Sequence, residues 1–247
     1  MNLNEKVALI TGASVGIGRA TALAMAEYGA KLILLDVDLP RLEKVRDEVR
    51  VYTQDVLIYH CDISDMARVN EVVAEAAKAF GKIDILVNNA ALWRSRTDFL
   101  NTPVEEWKKY FDINIMGTVY VTKAVLPRMV EQHYGRIVNV ASVAGVYGNR
   151  RMAHYSATKG ALISFTHALA KEVAEHGVLV NAVSPGTVSP SSEEDPSYTQ
   201  PSEMSYLGRT GSGRENAELI CFLASDKASY ITGQNIHIPF CSPFFPS

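Results

Sequence analysis

Short runs of β-branched and apolar residues alternate along this chain with longer stretches in which apolar residues recur every three to four positions. That alternation marks a parallel sheet with helices packed on it. The strand runs are VALIT (7–11), KLILLD (31–36), VLIYHCD (56–62), ILVNNA (85–90), RIVNVAS (136–142), LVNAVS (179–184) and NIHI (235–238). Several are apolar at consecutive positions, which predicts strands buried on both faces. Helices are predicted over 17–28, 40–50, 65–80, 103–132, 153–176 and 214–224. With no internal repeat and no linker, the expected architecture is α/β. A single doubly wound domain spans 1–247, with a mostly parallel seven-stranded sheet and helices on both faces. The exception is SPSSEEDPSYTQPSEMS (189–205), which has neither periodicity and is predicted to be a mobile loop.

Composition narrows the possible partners. The 247 residues are 47% hydrophobic and 21% charged, as in an ordinary soluble globule. A net charge of -3 supplies no basic surface for phosphate contacts, so no nucleic acid is expected. Cys61, Cys221 and Cys241 are widely spaced and odd in number, which suggests no disulfide framework and a reducing, cytoplasmic setting. No charged segment leads into an apolar run at the N-terminus, and no run is long enough to cross a bilayer, so no membrane partner is expected. The six histidines form no ligand cluster, so no metal is expected.

TGASVGIG (11–18) follows the first strand and opens the first helix. Its glycine spacing differs from the G-x-G-x-x-G fingerprint, but the strand-turn-helix setting is the one a dinucleotide site needs. Gly12 lets the chain reverse, Gly16 lets the backbone approach a pyrophosphate, and Gly18 lets the helix pack on the sheet. The helix N-terminus offers free N–H groups and partial positive charge to the phosphates. Asp36 closes the second strand 18 residues beyond Gly18, where a carboxylate can accept hydrogen bonds from an adenosine ribose in a Rossmann fold. Its charge repels a 2'-phosphate and Val15 supplies no compensating base, which favours NAD over NADP.

HYSATKGAL places Tyr155 and Lys159 four residues apart on one face of a helix. A phenol near pKa 10 becomes a useful acid or base at neutral pH only beside a cation that favours the phenolate, and Lys159 is that cation. Ser142 ends the fifth strand, where open α/β sheets hold their ligands. Asn114 is a polar amide within the apolar stretch FDINIMGTVY, which requires a particular partner.

Together, TGASVGIG, NNAA, Asn114, Ser142, Tyr155-x-x-x-Lys159 and PG at 185–186 resemble the short-chain dehydrogenase/reductase family over nearly the whole chain. The resemblance implies Tyr155 as general acid/base and Ser142 as the group that orients the carbonyl. It implies Lys159 on the nicotinamide ribose, lowering the tyrosine pKa, and Asn114 holding a water in a proton relay. A second reading of Asn114 is a core amide tying helix to sheet. Asp62 resembles the adenine contact, or serves as a strand-end cap. Ser14, Ile17, Ile63, Asn89, Ala90, Pro185, Gly186, Thr187 and Val188 complete the implied cofactor contacts, whereas Asn88 is expected to stabilise the sheet. The family is commonly tetrameric, and the apolar circumference of 153–176 (Ala157, Ala161, Leu162, Phe165, Leu169, Val173) suggests a homo-oligomer, a tetramer or a dimer.

The chain departs from the family in three places. Ala91 stands where NNAG has glycine, which requires a negative φ there. Pro190 replaces the usual threonine of PG-x-V-x-T, leaving Val188 backbone with Thr187 or Ser189 to hold the nicotinamide carboxamide. The C-terminal IPFCSPFFPS carries Phe240, Phe244 and Phe245, which are costly to expose together and predict packing against the core or a neighbouring subunit.

The implied activity is hydride transfer between NAD(H) and a secondary alcohol or ketone. The alternatives are a 3-oxoacyl carrier-protein reductase and, outside catalysis, a dinucleotide-sensing regulator, which would typically lack the Tyr–Lys pair. For the small-molecule substrate, the pairs Arg94 with Arg96 and Arg150 with Arg151 suggest an anionic group, or are solvated or engaged in subunit salt bridges. Trp93, Tyr147, Met152 and Tyr206 suggest an apolar pocket instead, and 187–213 is the expected substrate loop.

Overall fold

The structure, a computed structural model, describes residues 1–189 and 195–238. The expectations for Pro190, Cys241 and the three C-terminal phenylalanines Phe240, Phe244 and Phe245 lie outside the described residues.

Seven strands form one sheet: β1 (Val7–Thr11), β2 (Lys31–Asp36), β3 (Val56–His60), β4 (Ile85–Asn88), β5 (Gly135–Val140), β6 (Val178–Ser184) and β7 (Asn235–His237). Their spatial order is β3-β2-β1-β4-β5-β6-β7, and every pairing is parallel. The consecutive apolar residues of each strand supply both faces. In β1, Ala8 and Ile10 enter the core beneath α1 (Gly16–Glu27) and α8 (Gly213–Ala224). Val7 and Leu9 enter the core beneath α3 (Met66–Phe80), α5 (Thr118–Glu131) and α7 (Ala153–Val173). The strand order reverses between β1 and β4, and the C-terminal ends flanking that point form the crevice in which such sheets bind ligands.

Side-chain caps set three of the helix starts. Asp38 accepts the Arg41 N–H at the start of α2 (Leu39–Val49), and Asp65 accepts the Ala67 and Arg68 N–H groups at the start of α3. Ser212 and Glu215 form a capping box on α8.

The sequence expectation fails in one important place. The single helix expected over 103–132 is divided into α4 (Val104–Phe111), a π-helical stretch at Asp112–Gly117, and α5. A π turn opens the backbone ladder and re-aims a side chain, here Asn114. Thr118 Oγ1 donates back to the Asn114 carbonyl at 3.1 Å, and Gly117 lies so close to Ile63 that a Cβ would approach its Cγ1 within 2.6 Å. Smaller differences follow the same logic. The expected third, fourth and fifth strands run two residues too far, because the pattern continues after the ladder ends. The helix over 153–176 finishes in a 3-10 turn at Ala174–His176, and a short α6 (Ala144–Tyr147) lies inside an expected loop.

Candidate active site

A cleft of about 650 Å³ runs across the C-terminal ends of the strands, from Asp36 at one end to Ser142, Tyr155 and Lys159 at the other. The glycine turn forms its floor. Gly12 has φ +63, and a Cβ there would lie 2.7 Å from the Ala90 Cα, so only glycine fits. Gly18 faces inward, where a Cβ would collide with the Gly12 carbonyl oxygen, whereas a Cβ on Gly16 would meet nothing within 4 Å. The turn is therefore packed on the sheet side and open on the cleft side. Asn89 locks it, donating from Nδ2 to the carbonyls of Thr11 (3.0 Å) and Gly12 (2.9 Å). Its own N–H and that of Ala90 donate to Thr11 Oγ1. Unlike the helices with capping side chains, α1 starts at Val15 with no side-chain cap, so its first N–H groups remain available to an anion.

The Asp36 carboxylate accepts the Ser14 N–H at 2.9 Å and the Asp38 N–H at 3.0 Å. It thus braces the glycine turn as well as facing the cleft. The neighbouring wall is Ser14, Val15 and Val37, with no cation. Arg19, nearby on α1, makes two hydrogen bonds to Glu48, at 2.8 and 3.0 Å. Asp62 lines the cleft, and its Oδ1 accepts from the Ser64 N–H and hydroxyl, which fits the strand-end cap. Among the described non-glycine residues only Glu5, His133 and Arg151 have positive φ, so Ala91 meets the condition set for it. An open turn, an uncapped helix and a strand-end carboxylate fit a dinucleotide.

At the other end, Ser142 follows β5, its hydroxyl bonded to the Tyr155 phenol and accepting the Ala144 N–H at 3.1 Å. Lys159 is buried, donates to the Val140 carbonyl at 2.6 Å, and its Nζ lies 5.8 Å from the centre of the Tyr155 ring. Burial lowers Lys159 to about 8. Burial pushes Tyr155 up to about 12, with the Ser142 hydrogen bond opposing the rise and Tyr110 adding to it. The expected lowering of the phenol by Lys159 is therefore not what this arrangement produces: the ammonium is held at Val140, and the phenol keeps its proton at neutral pH. Tyr155 is poised as an acid.

Asn114 is buried behind the cleft wall. Its Oδ1 accepts the Leu92 N–H at 2.7 Å, and its Nδ2 donates to the Leu92 carbonyl (3.0 Å) and Thr158 Oγ1 (3.1 Å). These bonds fit the core-amide reading, with Asn114 tying the π turn to the segment after β4. Asn88 donates to Thr122 Oγ1 and Asn139 Oδ1 within the buried sheet, as expected of a structural residue.

The cleft wall unites Gly12, Ser14, Val15, Gly16, Ile17, Asp36, Asp62, Ile63, Asn89, Ala90, Ser142, Tyr155, Lys159, Pro185, Gly186 and Val188. Gly18 lies beneath the turn, and Thr187 accepts the Gly211 N–H in a short pairing of 188 with 211. The substrate-side expectations fare worse. Arg94, Arg96, Arg150, Arg151 and Tyr147 do not line the cleft. Arg94 lies over the Trp93 ring, Arg151 pairs with Asp98 at 3.5 Å, and Tyr147 packs edge-on against His237. Of the apolar set only Trp93 reaches the wall; Met152 is buried and Tyr206 is 70% exposed. Sequence reasoning missed Lys109, Ile113 and Leu92, which line the same wall. The signal was the i, i+4 spacing of Lys109 and Ile113 in the helical stretch just before Asn114. Among the described residues no cluster of three or more His, Cys, Asp or Glu could hold a metal, and no helix is long and apolar enough to cross a membrane. Cys61 and Cys221 are buried and unpaired.

This fold, with a glycine turn at one end of the crevice and a Ser–Tyr–Lys set at the other, defines a nucleotide-linked oxidoreductase. Residues 6–200 match the family described as short chain dehydrogenase, and the chain belongs to that family. It is 40% identical over 241 residues to 3-oxoacyl-[acyl-carrier-protein] reductase FabG of Thermotoga maritima, covering 96% of this chain and 98% of that one. The crystal structure of NAD+-bound xylitol dehydrogenase superposes with a TM-score of 0.88 at 35% identity, covering 97% of this chain and 99% of that one. The crystal structure of levodione reductase gives a TM-score of 0.89 at 32% identity, covering 96% and 97%.

Proposed function

We propose that this chain is an NAD(H)-linked ketoreductase that interconverts a ketone and a secondary alcohol, with Tyr155 as the acid that protonates the carbonyl oxygen. The observation that carries the reading is the phenol itself. It is hydrogen-bonded to Ser142, held protonated by burial, and placed at the end of a cleft whose opposite end carries Asp36. A bound nicotinamide supplies the hydride. The glycine turn and the α1 N-terminus hold the pyrophosphate, Asp36 the adenosine ribose and Lys159 the nicotinamide ribose, with Pro185, Gly186 and Val188 beside it. Ser142 orients the ketone oxygen, and Tyr155 donates the proton that completes the alcohol. A dinucleotide-sensing regulator would not need this assembled acid.

Among ketones, the Thermotoga relative's name favours a 3-oxoacyl group on a carrier protein over a free alcohol such as a polyol. The Asp36 end still favours NADH, and the NAD+-bound xylitol dehydrogenase neighbour supports that cofactor. On the substrate side, an anionic group would meet Lys109 rather than the four arginines, because Lys109 alone of these cations lines the wall. In this reading the substrate loop is 187–213, of which 190–194 lie outside the described residues. The exposed small residues Ala157, Ser164 and Ala168 on the outer side of α7 support close approach of a second copy. Light scattering showing only monomer would remove that oligomer.

The deciding experiment is reduction of a short 3-oxoacyl thioester, a cyclic diketone and a keto sugar with NADH or NADPH, followed by nicotinamide absorbance. The expected result is turnover of the thioester with NADH favoured. Thioester turnover confined to NADPH would overturn the cofactor assignment, and turnover of only the other ketones would overturn the acyl assignment.

A further inference from the structure

Tyr110 does not line the cleft, yet it stands behind its substrate end. It is 4% exposed on α4, a turn before Asn114. Its hydroxyl oxygen accepts the Ser95 N–H at 3.1 Å. Its ring packs edge-on against His154, with centroids 4.2 Å apart, and His154 is fully buried and directly precedes Tyr155 in the first turn of α7. Asn114 grips the same segment three residues earlier, at Leu92. The segment after β4 is thus fastened twice, by α4 and by the π stretch that follows it, and Trp93, which lines the cleft, lies between the two fastenings.

We propose that Tyr110 is a positioning residue for the ketone: its hydroxyl fixes Ser95, and so the Trp93 wall, while its ring holds the start of the helix that carries Tyr155. The inference rests on the ketoreductase reading for its kinetic consequence, but not for its structural one. Asn114 secures the nucleotide side of the segment, since Leu92 follows Ala90 and Ala91 directly; Tyr110 secures the side that faces substrate. Loss of the hydroxyl takes the acceptor from a partly buried N–H and loosens the segment at Ser95, leaving the Thr97 N–H to Arg151 carbonyl bond as its outer tie. The ring, and with it the His154 packing, is retained in phenylalanine.

The test compares wild type with Tyr110→Phe in two measurements. Hydrogen exchange of peptides covering 91–97 should quicken about five-fold, as expected for one lost hydrogen bond. In ketone reduction KM should rise about five-fold, while kcat changes less than about two-fold and the NADH Kd is unchanged, because Tyr155 keeps its proton at neutral pH with or without Tyr110 and the nucleotide end is untouched. Unchanged exchange over 91–97 would overturn the proposal, as would a KM equal to that of wild type. If the wild type reduces no ketone with either nucleotide, the ketoreductase reading fails, and the exchange comparison alone decides the role of Tyr110.

Discussion

At the scale of single residues, the site is governed by what each group is already bonded to. Asp36 lines the cleft but also accepts two backbone N–H groups, so its charge is fixed in place by the turn it braces. Replacing it with asparagine keeps an acceptor and removes the repulsion of a 2'-phosphate. Asp36→Asn should raise kcat/KM with NADPH about ten-fold relative to NADH, a change of about 1.4 kcal/mol; a wild-type enzyme already preferring NADPH would contradict the assignment. The acid end has its own signature in pH. Tyr155, pushed up to about 12, holds its proton throughout the working range, whereas Lys159, lowered to about 8, loses its charge within it. Ketone reduction should therefore hold level below about pH 8 and decline above it, as the ammonium deprotonates before the phenol does. A profile of kcat/KM level to about pH 10 would show that the Lys159 charge is not needed.

At the scale of elements, the decisive departure from regularity is the π stretch between α4 and α5. The periodicity of 103–132 is continuous, so a helix was legible there, but not its interruption. Asn114 within FDINIMGTVY was the visible sign, an amide that had to find a partner; that the partner would be the backbone of Leu92 depends on a contact between segments that periodicity does not encode. Asn114→Ala removes both Leu92 bonds and leaves buried groups unpaired, at a cost of about 2 to 4 kcal/mol. Urea unfolding should show that loss as a lower midpoint with an unchanged slope. A midpoint equal to that of wild type would mean the clamp is unimportant. The glycine turn, by contrast, was legible from its pattern: Gly12 and Gly16 hold a positive φ, and Gly18 packs against the Gly12 carbonyl.

At the scale of the whole molecule, the sheet order follows from alternating strands and helices, and strands apolar on consecutive positions were correctly expected to be covered on both faces. The nucleotide end was legible for the same reason: it is built from strand ends and helix starts. The substrate end was not, because it is made by loops whose side chains are placed by tertiary contacts. The arginine pairs are conspicuous in the sequence, yet Arg151 is turned to Asp98 and Arg94 to Trp93, while the inconspicuous Lys109 lines the wall. The ketoreductase reading rests on one phenol, at the end of the cleft opposite Asp36. Tyr155→Phe, measured for ketone reduction and for NADH binding on the same preparation, tests it most directly. The account predicts a loss of kcat of about a thousand-fold with NADH Kd within about two-fold of wild type. Turnover retained near the wild-type rate would contradict it.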